Sequence, residues 1–357
     1  MIRLMVPSID AADIAAVSQV LESGFLVQGS HVQLFEQGVA DYLGVDPKRV
    51  VAVSNCTAAL HLSLIALGVR PGDLVLVTAY SWPATANVVE LCGAQPVFVD
   101  IERDTFNMDP EALQVTLDRL MSNSETARRV KAVIPVHCFG QMATMDAITS
   151  LAEPHHLSVI EDAACALGAS LDGKMAGTCG TFGCFSFHPR KAITTGEGGV
   201  VVTERASDAR TIRALRNHGL DSDAPSPDFI LPGFNYRMTE FQAALGSTQM
   251  SKISGILNRR RELAAEYDKL LTGSDIKPPA VARGRSHVYQ SYVAQLPKQC
   301  APGRSSIIER MKARGIETTI GTWHMPLTSF YRSRYGYREG DYPIADDLFT
   351  RALTLPL

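Results

Sequence analysis

The chain has 357 residues, of which 46% are hydrophobic and 20% charged, so it is long enough for two domains with a sizeable core. Its net charge of −3 and the lack of a basic stripe interleaved with aromatics argue against nucleic-acid binding. We expect neither a signal peptide nor a membrane span, because no apolar run is long enough. The seven cysteines form no CxxC pair, so we expect no metal site, no disulfide framework and a reducing cytoplasm.

Seven short apolar runs alternate with helical patterns over much of the first two hundred residues. Their β-branched, nearly continuous apolar character is typical of strands in a parallel sheet that is covered on both faces. The alternation predicts an open α/β fold with a mostly parallel seven-stranded sheet flanked by helices. The predicted strands are residues 50–54, 74–78, 96–100, 130–137, 157–162, 182–187 and 198–203.

Helical patterns precede and follow this region. Two capped helices are predicted at the N-terminus, and residues 238–271 form a long helical pattern with a predicted break near Gly246 or Gly255. A loop and a smaller α+β unit come next. We therefore place a domain boundary within the long helix, with a large domain at residues 1–250 and a small C-terminal α+β domain at residues 251–357.

SNCTAALH, residues 54–61, leaves a predicted strand and enters a helix through small polar residues. Backbone N–H groups at a helix N-terminus attract anions, so Thr57 and the amides of Thr57 and Ala58 are candidates to hold a phosphate. The alternative is that Ser54 or Asn55 merely caps the helix. Taken alone, the motif favours the cap.

Two further candidates follow strands, where ligands collect in open α/β sheets. Asp162 ends a predicted strand, and its carboxylate could pair with a buried cation such as a protonated ring nitrogen. A helix cap or a solvated turn acid is the alternative, and it is favoured when Asp162 is taken alone. Trp82, in AYSWPAT, could stack on a planar ligand or fill the core, and filling the core is the more common fate.

Lys191 lies in FSFHPRKAITTGEGG, between a short aromatic strand and a glycine-rich turn. A low-dielectric pocket would lower the pKa of this lysine, and its neutral amine could then form a Schiff base with an aldehyde. The glycines that follow would let the backbone approach a bulky ligand closely. A single lysine is more often a solvated charge. However, a phosphate site, an aromatic plate, a strand-end carboxylate and a pocket lysine together are the parts that pyridoxal phosphate needs.

At this point the sequence resembles the DegT/DnrJ/StrS-type sugar aminotransferases, which are fold-type I pyridoxal-phosphate enzymes. The resemblance covers essentially the whole chain. It runs from LESGFLVQG through SNCTAALHLSLIALGVRPGD, IEDAACALGA and FSFHPRKAITTGEGG to GFNYRMTEFQAALG and YPIADDLFTRALTLPL. It implies that the large domain binds the cofactor.

The resemblance also implies a role for each matching residue. Lys191 would form the internal aldimine with pyridoxal phosphate, Asp162 would pair with the pyridine nitrogen, and Trp82 would stack on the ring. Asn235 would reach a phosphate in the neighbouring subunit, which implies a homodimer with shared active sites. The remaining candidates are Thr57, the amide of Ala58 and Ser186 for the phosphate, and His188 and His324 on the substrate side. A buried, hydrogen-bonded histidine is the alternative for either of the last two.

Three features depart from the family pattern. Cys56 stands where the family usually has glycine, and its side chain would crowd the phosphate loop unless its backbone angle is ordinary. Cys165 stands three positions after Asp162, where glutamine or histidine commonly contacts the cofactor's ring oxygen. A thiol is a weak hydrogen-bond partner, and a small buried hydrophobe is the alternative for Cys165. The chain stops at LTLPL, where relatives continue into a further helix, so we expect a truncated small domain.

The reaction that the resemblance implies moves an amino group from an amino acid, expected to be glutamate, to a nucleotide-linked keto-sugar. It is a ping-pong reaction, typical of amino-sugar and polysaccharide biosynthesis. Family members that dehydrate sugars replace the lysine with histidine, so Lys191 favours amination. The alternatives are a sugar dehydratase or a cyclitol or aminoshikimate-type enzyme of the same family, or a non-catalytic regulatory protein that binds pyridoxal phosphate. Specificity is expected to lie in loops such as residues 219–232 and 321–337.

Overall fold

The structure is a computed structural model that describes residues 1–222 and 224–357. Residue 223, in one of the two predicted specificity loops, lies outside the described residues. No helix in the described part of the chain is long and apolar enough to cross a membrane. The helices are α1 Ala11–Ser23, α2 Ser30–Leu43, α3 Cys56–Ala66, α4 Ala84–Leu91, α5 Pro110–Met121, α6 Ser124–Arg129, α7 Met145–Ala152, α8 Ala206–Arg216, α9 Glu240–Leu271, α10 Arg304–Ala313, α11 Ser329–Tyr335 and α12 Pro343–Arg351.

The strands include several two-residue segments besides the longer ones. They are β1 Val50–Val53, β2 Leu74–Thr78, β3 Tyr80–Ser81, β4 Gln95–Val99, β5 Val130–Ile134, β6 Ser158–Asp162, β7 Ser170–Leu171, β8 Lys174–Met175, β9 Phe182–Ser186, β10 Gly199–Thr203, β11 Leu220–Asp221, β12 Asp228–Phe229, β13 Arg285–Ser286, β14 Tyr292–Gln295, β15 Thr319–Ile320, β16 Trp323–His324 and β17 Ala352–Leu355.

All seven predicted strands are present, and they form one sheet in the order β1-β10-β9-β6-β5-β2-β4. The pairs β4–β2, β2–β5, β5–β6 and β6–β9 are parallel. Strand β10 is antiparallel to both of its neighbours, β9 and β1. The predicted seven-stranded, mostly parallel sheet is therefore confirmed.

Helices cover both faces of this sheet. Successive side chains in a strand point to opposite faces, so each strand contributes to two separate cores. Val50 and Ala52 of β1 enter the core that α2, α5, α7 and α9 cover, whereas Val51 and Val53 enter the core that α3, α4 and α8 cover. This burial on both faces explains why the strands are nearly continuous apolar runs.

Gly199 brings the glycine-rich turn after the candidate lysine against the start of α3. It begins β10, and a Cβ built on it would lie 2.4 Å from the backbone carbonyl carbon of Asn55, so no side chain fits. The close approach that we predict for a ligand is, at Gly199, an approach to another segment of the same chain. The glycine therefore joins two candidate site motifs.

Helix α9 continues without interruption from Glu240 to Leu271, so the predicted break near Gly246 or Gly255 is wrong. Gly246 is buried, and a Cβ there would lie 2.7 Å from the ring of Phe35. Phe35 in turn packs edge-on against Phe187, with 5.0 Å between the ring centroids. Gly255 is exposed and has nothing within 4 Å of its Cβ position. Close packing at Gly246 therefore accounts for this glycine, which does not end the helix.

The C-terminal α+β unit has its own antiparallel sheet, in the order β14-β17-β15. Strand β16 does not join it and pairs instead with β3, which places Trp323 opposite Ser81 and His324 opposite Tyr80. The domain boundary near residue 250 falls inside the continuous helix α9 and stays a prediction.

We expect Gly246→Ala to destabilise the protein, although alanine is the better helix former by about 1 kcal/mol. Its methyl group must displace the ring of Phe35 and disturb the contact with Phe187, at a cost of about 1–3 kcal/mol. Gly255→Ala is the matched control in the same helix and should raise the thermal midpoint slightly. Thermal unfolding followed by circular dichroism compares the variants with the parent chain. Equal gains in both variants would contradict the packing assignment.

Candidate active site

The sheet brings the ends of three strands to one edge. Val53 at the end of β1 and Ser186 at the end of β9 both pair with Gly199, so α3 begins beside the end of β9. Asp162, at the end of β6, pairs with Cys184 in the parallel ladder between β6 and β9. The predicted phosphate motif and the predicted ring-nitrogen partner therefore lie at the same edge of the sheet.

Asp162 is a buried carboxylate, with only 5% of the residue exposed, so it is not a solvated turn acid. Its Oδ2 accepts a hydrogen bond of 2.7 Å from Thr85 Oγ1, and its Oδ1 accepts one of 3.2 Å from the backbone N–H of Ala164. Burial raises the pKa of Asp162 above its usual range, against the lowering effect of these donors and of Lys191. A buried carboxylate needs a cation to remain charged, and a protonated ring nitrogen fits that requirement.

Lys191 is half-buried, and its Nζ lies 3.1 Å from the Sγ of Cys165. Burial acts to lower the pKa of Lys191, as we predict from the sequence. The Cys165 sulfur, Cys56 and Asp162 raise it by more, so the pKa lies above its usual value. The predicted lowering of this pKa is therefore wrong. The reason is that the hydrogen bond to Cys165 and the electrostatic effects of Cys165, Cys56 and Asp162 outweigh burial.

Hydrogen bonds within its own loop hold Lys191 in place. The Lys191 N–H donates to the carbonyl of His188 at 2.8 Å. The loop is closed at its base, where the Phe187 N–H donates to the carbonyl of Gly198 and the Thr195 N–H donates to the carbonyl of Phe187. Phe187 is fully buried, so the aromatic strand anchors the loop in the core while the lysine remains at the strand ends.

The two cysteines that depart from the family pattern both lie at this site. Cys56 begins α3 and is not among the residues with positive φ, so its backbone angle is ordinary and its side chain requires no strained turn. Burial raises the pKa of the Cys56 thiol, with a contribution from Asp162. Cys165 is half-buried and contacts Lys191, so it is not simply a small buried hydrophobe.

The N-terminus of α3 combines a cap with groups that could bind an anion. Asn55 is the cap, and its Oδ1 accepts a hydrogen bond of 2.8 Å from the Ala58 N–H. The amide of Ala58 is thus already engaged, and its predicted phosphate role stays a prediction. Thr57 is exposed on the first turn, where backbone N–H groups have no partner within the helix. A phosphate on this turn fits both the hydroxyl and the helix N-terminus.

The remaining cofactor candidates are accessible. Trp82 is 64% exposed, so it does not fill the core and could stack on a ring. Ser186 is half-buried and lines a cavity with Cys165 and Lys191. Asn235 is exposed, and its Oδ1 accepts a hydrogen bond of 3.1 Å from Arg237 Nε.

The two candidate histidines have different environments. His188 is half-exposed on the loop before Lys191, and its Nδ1 accepts a hydrogen bond of 3.1 Å from the Arg190 N–H. His324 is only 1% exposed, and its Nε2 lies 2.9 Å from Asp346 Oδ1, although not in hydrogen-bond geometry. Burial lowers the pKa of His324. His324 is therefore buried, as in the alternative, but it is not hydrogen-bonded, whereas His188 is accessible to a substrate.

Two buried polar groups near the end of β6, Thr85 and Glu161, were not predicted from the sequence. Thr85 lies three residues after Trp82 and donates to the carboxylate of Asp162. Glu161 is fully buried, and Oε2 accepts from the Gly177 N–H and lies 2.8 Å from His137 Nε2. Glu161 could have been found from the sequence, because a charged residue within an apolar strand such as LSVIED is unusual. A threonine at the start of a helix carries no comparable signal.

Solved structures of other proteins share this fold. The aminotransferase TlmJ from Streptoalloteichus hindustanus is 31% identical with a TM-score of 0.91, over 100% of this chain and 93% of that one. Spr1654 from Streptococcus pneumoniae is 28% identical with a TM-score of 0.91, over 100% and 92–93%, in structures that include PLP and PMP forms. The sugar aminotransferase CalS13 from Micromonospora echinospora is 27% identical with a TM-score of 0.88, over 100% and 94%.

The sheet, its strand-end site and these neighbours define a pyridoxal-phosphate-dependent aminotransferase of fold type I. Residues 7–357 match the model of the DegT/DnrJ/EryC1/StrS aminotransferase family, and the chain belongs to that family. Its neighbours support a sugar aminotransferase. The residues at the strand ends fit the cofactor, because the site offers a half-buried amine, a buried carboxylate, an accessible indole and a helix N-terminus.

We expect Thr85→Val to weaken binding of pyridoxal phosphate about 10- to 100-fold, because a hydrogen bond to a buried charged group is lost. Without this donor the pKa of Asp162 rises further, so its carboxylate is ionised less readily and pairs less well with the ring nitrogen. Thr85→Ser keeps the hydroxyl and is the matched control, with affinity expected within about threefold of the parent chain. Titration of the apoprotein by absorbance measures both. A valine variant with unchanged affinity would show that Asp162 does not depend on Thr85.

Proposed function

We propose that this protein transfers the amino group of an amino acid, glutamate, to a nucleotide-linked keto-sugar by ping-pong chemistry. The observation that carries the proposal is a contact between the Lys191 amine and Cys165. Cys165 lies on the turn that follows Asp162, whose carboxylate is buried. An amine and a carboxylate in one buried site are the two groups that an aminotransferase places against its cofactor. The family and its neighbours support the sugar acceptor.

Pyridoxal phosphate, when bound, supplies a carbonyl group that carries the amine and a ring that takes up the electron pair of the broken bond. Lys191 would hold the cofactor and, as a free amine, would serve as the general base and acid that moves the α-proton of the donor. Asp162 would keep the ring nitrogen protonated, which would stabilise negative charge developing in the transition state. Trp82 would stack on the ring, and Thr57, Ser186 and the start of α3 would hold the phosphate.

We further propose a cytoplasmic homodimer in which Asn235 contributes to the partner's site. Asn235 is exposed, and Arg237 occupies its Oδ1, so the side chain offers Nδ2 as a donor to an anion. His188 is the proposed substrate-side group, because it is accessible on the loop that leads to Lys191. A shared site requires that two copies of this surface meet.

The central test of the reaction is the visible absorption spectrum of the protein loaded with pyridoxal phosphate, before and after glutamate is added. We expect a band in the visible region that declines with glutamate, together with 2-oxoglutarate in amounts equal to the sites present. Lys191→Ala should lose or alter the band and form no keto acid, whereas the control Lys174→Ala, an exposed lysine, should behave like the parent chain. A band indifferent to glutamate would favour a cofactor-binding protein without turnover.

Asn235→Ala tests the shared site. We expect weaker retention of pyridoxal phosphate, about tenfold or more, because a hydrogen bond to a charged phosphate is lost. The far-ultraviolet circular dichroism spectrum should stay unchanged, since Asn235 is exposed. Equilibrium dialysis measures retention, and sedimentation measures the oligomeric state. Unchanged retention in the variant, or a monomeric parent chain, argues against a site shared between subunits.

A further inference from the structure

Cys165 makes a direct contact with the amine of Lys191, 3.1 Å between Sγ and Nζ. The two residues belong to different elements: Cys165 lies on the turn after β6, and Lys191 lies on the loop after β9. Both line the same small cavity with Ser186 and Gln290. The contact therefore joins two strand-end segments in the middle of the proposed cofactor site.

The turn that carries Cys165 is held at several points. The Ala163 N–H donates to the carbonyl of Cys184 at 2.9 Å, and the Ala166 N–H donates to the carbonyl of Ala163 at 2.9 Å. Gly140 packs so closely that a Cβ on it would lie 3.2 Å from the Cys165 carbonyl oxygen. The backbone of the turn that carries Cys165 is therefore held in place by neighbouring segments.

Three groups raise the pKa of Lys191: Cys165 on the turn after β6, Asp162 at the end of β6 and Cys56 at the start of α3. Asp162 already accepts hydrogen bonds from Thr85 and Ala164, and the cofactor's ring nitrogen is its proposed partner. Cys165 is the group that the Nζ of Lys191 contacts directly. A sulfur acceptor is weak but sufficient to orient an ammonium in a buried setting.

We propose that Cys165 is the positioning residue for Lys191: its sulfur accepts a hydrogen bond from the free amine and holds it in the site. The proposal rests on the anchoring role proposed for Lys191. It assigns Cys165 to the lysine rather than to the ring oxygen that glutamine or histidine commonly contacts at this position in the family.

A consequence for acid–base behaviour follows from the surroundings of Lys191. Burial lowers its pKa, and Cys165, Cys56 and Asp162 raise it. When Cys165 is replaced by alanine, the sulfur that raises the pKa of Lys191 is lost. The lowering effect of burial is then opposed less strongly, so the pKa of Lys191 falls. A fall of about one unit makes the neutral amine about tenfold more abundant at neutral pH. Serine keeps an acceptor in the same place, so its effect should be smaller than that of alanine.

The test is competitive acetylation of the full-length apoprotein with acetic anhydride, between about pH 6 and pH 11, across the ordinary titration range of lysine. The reactivity of Lys191 is read from its peptide by mass spectrometry, with the exposed Lys174 as internal reference. We expect the midpoint of Lys191 to fall by about one pH unit or more in Cys165→Ala. Cys165→Ser should lie between alanine and the parent chain. Cys300→Ala, in the 3-10 helix Lys298–Gly303 that precedes α10, is the control and should leave the midpoint unchanged.

Two outcomes would overturn the proposal. One is a Cys165→Ala midpoint equal to that of the parent chain, and the other is a serine variant that matches alanine. Since acetylation needs no cofactor, this result does not depend on the proposed reaction. Visible spectra of the same variants with pyridoxal phosphate provide the second readout. A parent chain without a Lys191-dependent band would contradict the proposed function, even if the acetylation midpoint shifts as expected.

Discussion

The site depends on one constraint: a carboxylate at the end of a parallel strand is kept out of water. Asp162 is 5% exposed, and such a group remains charged only if donors and a cation surround it. Thr85 and Ala164 supply the donors, and the positive charge of Lys191 acts to lower the pKa of Asp162. Cys165 follows three residues later, and its Sγ contacts the Nζ of that lysine. The end of β6 and the turn after it therefore carry both the buried carboxylate and the sulfur that contacts Lys191.

Most of the central fold could be predicted from the sequence, because strands buried on both faces leave continuous β-branched runs. All seven runs form strands, and they join in one sheet. The break in α9 could not be predicted correctly, since a glycine in a helical pattern carries the same signal whether it ends the helix or admits a neighbouring ring. The pairing of β16 with β3 could not be predicted either. A two-residue strand is too short to show an alternating pattern of apolar residues, and these two strands lie more than two hundred residues apart in the sequence.

At the site, sequence motifs predict the lysine, the carboxylate and the helix N-terminus, because each follows or ends a predicted strand. What the motifs could not supply are distances between segments. The hydroxyl of Thr85 beside Asp162, the sulfur of Cys165 beside Lys191 and the burial of His324 all arise from tertiary packing. The direction of the Lys191 pKa was wrong for the same reason. Burial alone lowers this pKa, and only the arrangement of neighbouring groups reveals that it is raised.

The measurement that tests the account most directly is borohydride reduction of the protein loaded with pyridoxal phosphate, followed by peptide mass spectrometry. Reduction fixes the cofactor to the amine that holds it, so the modified peptide identifies the anchor without any assumption about the sugar. The account predicts a single modified peptide, the one that contains Lys191. A cofactor bound to another lysine, or a loaded protein with no modified peptide, would contradict the assignment of this site.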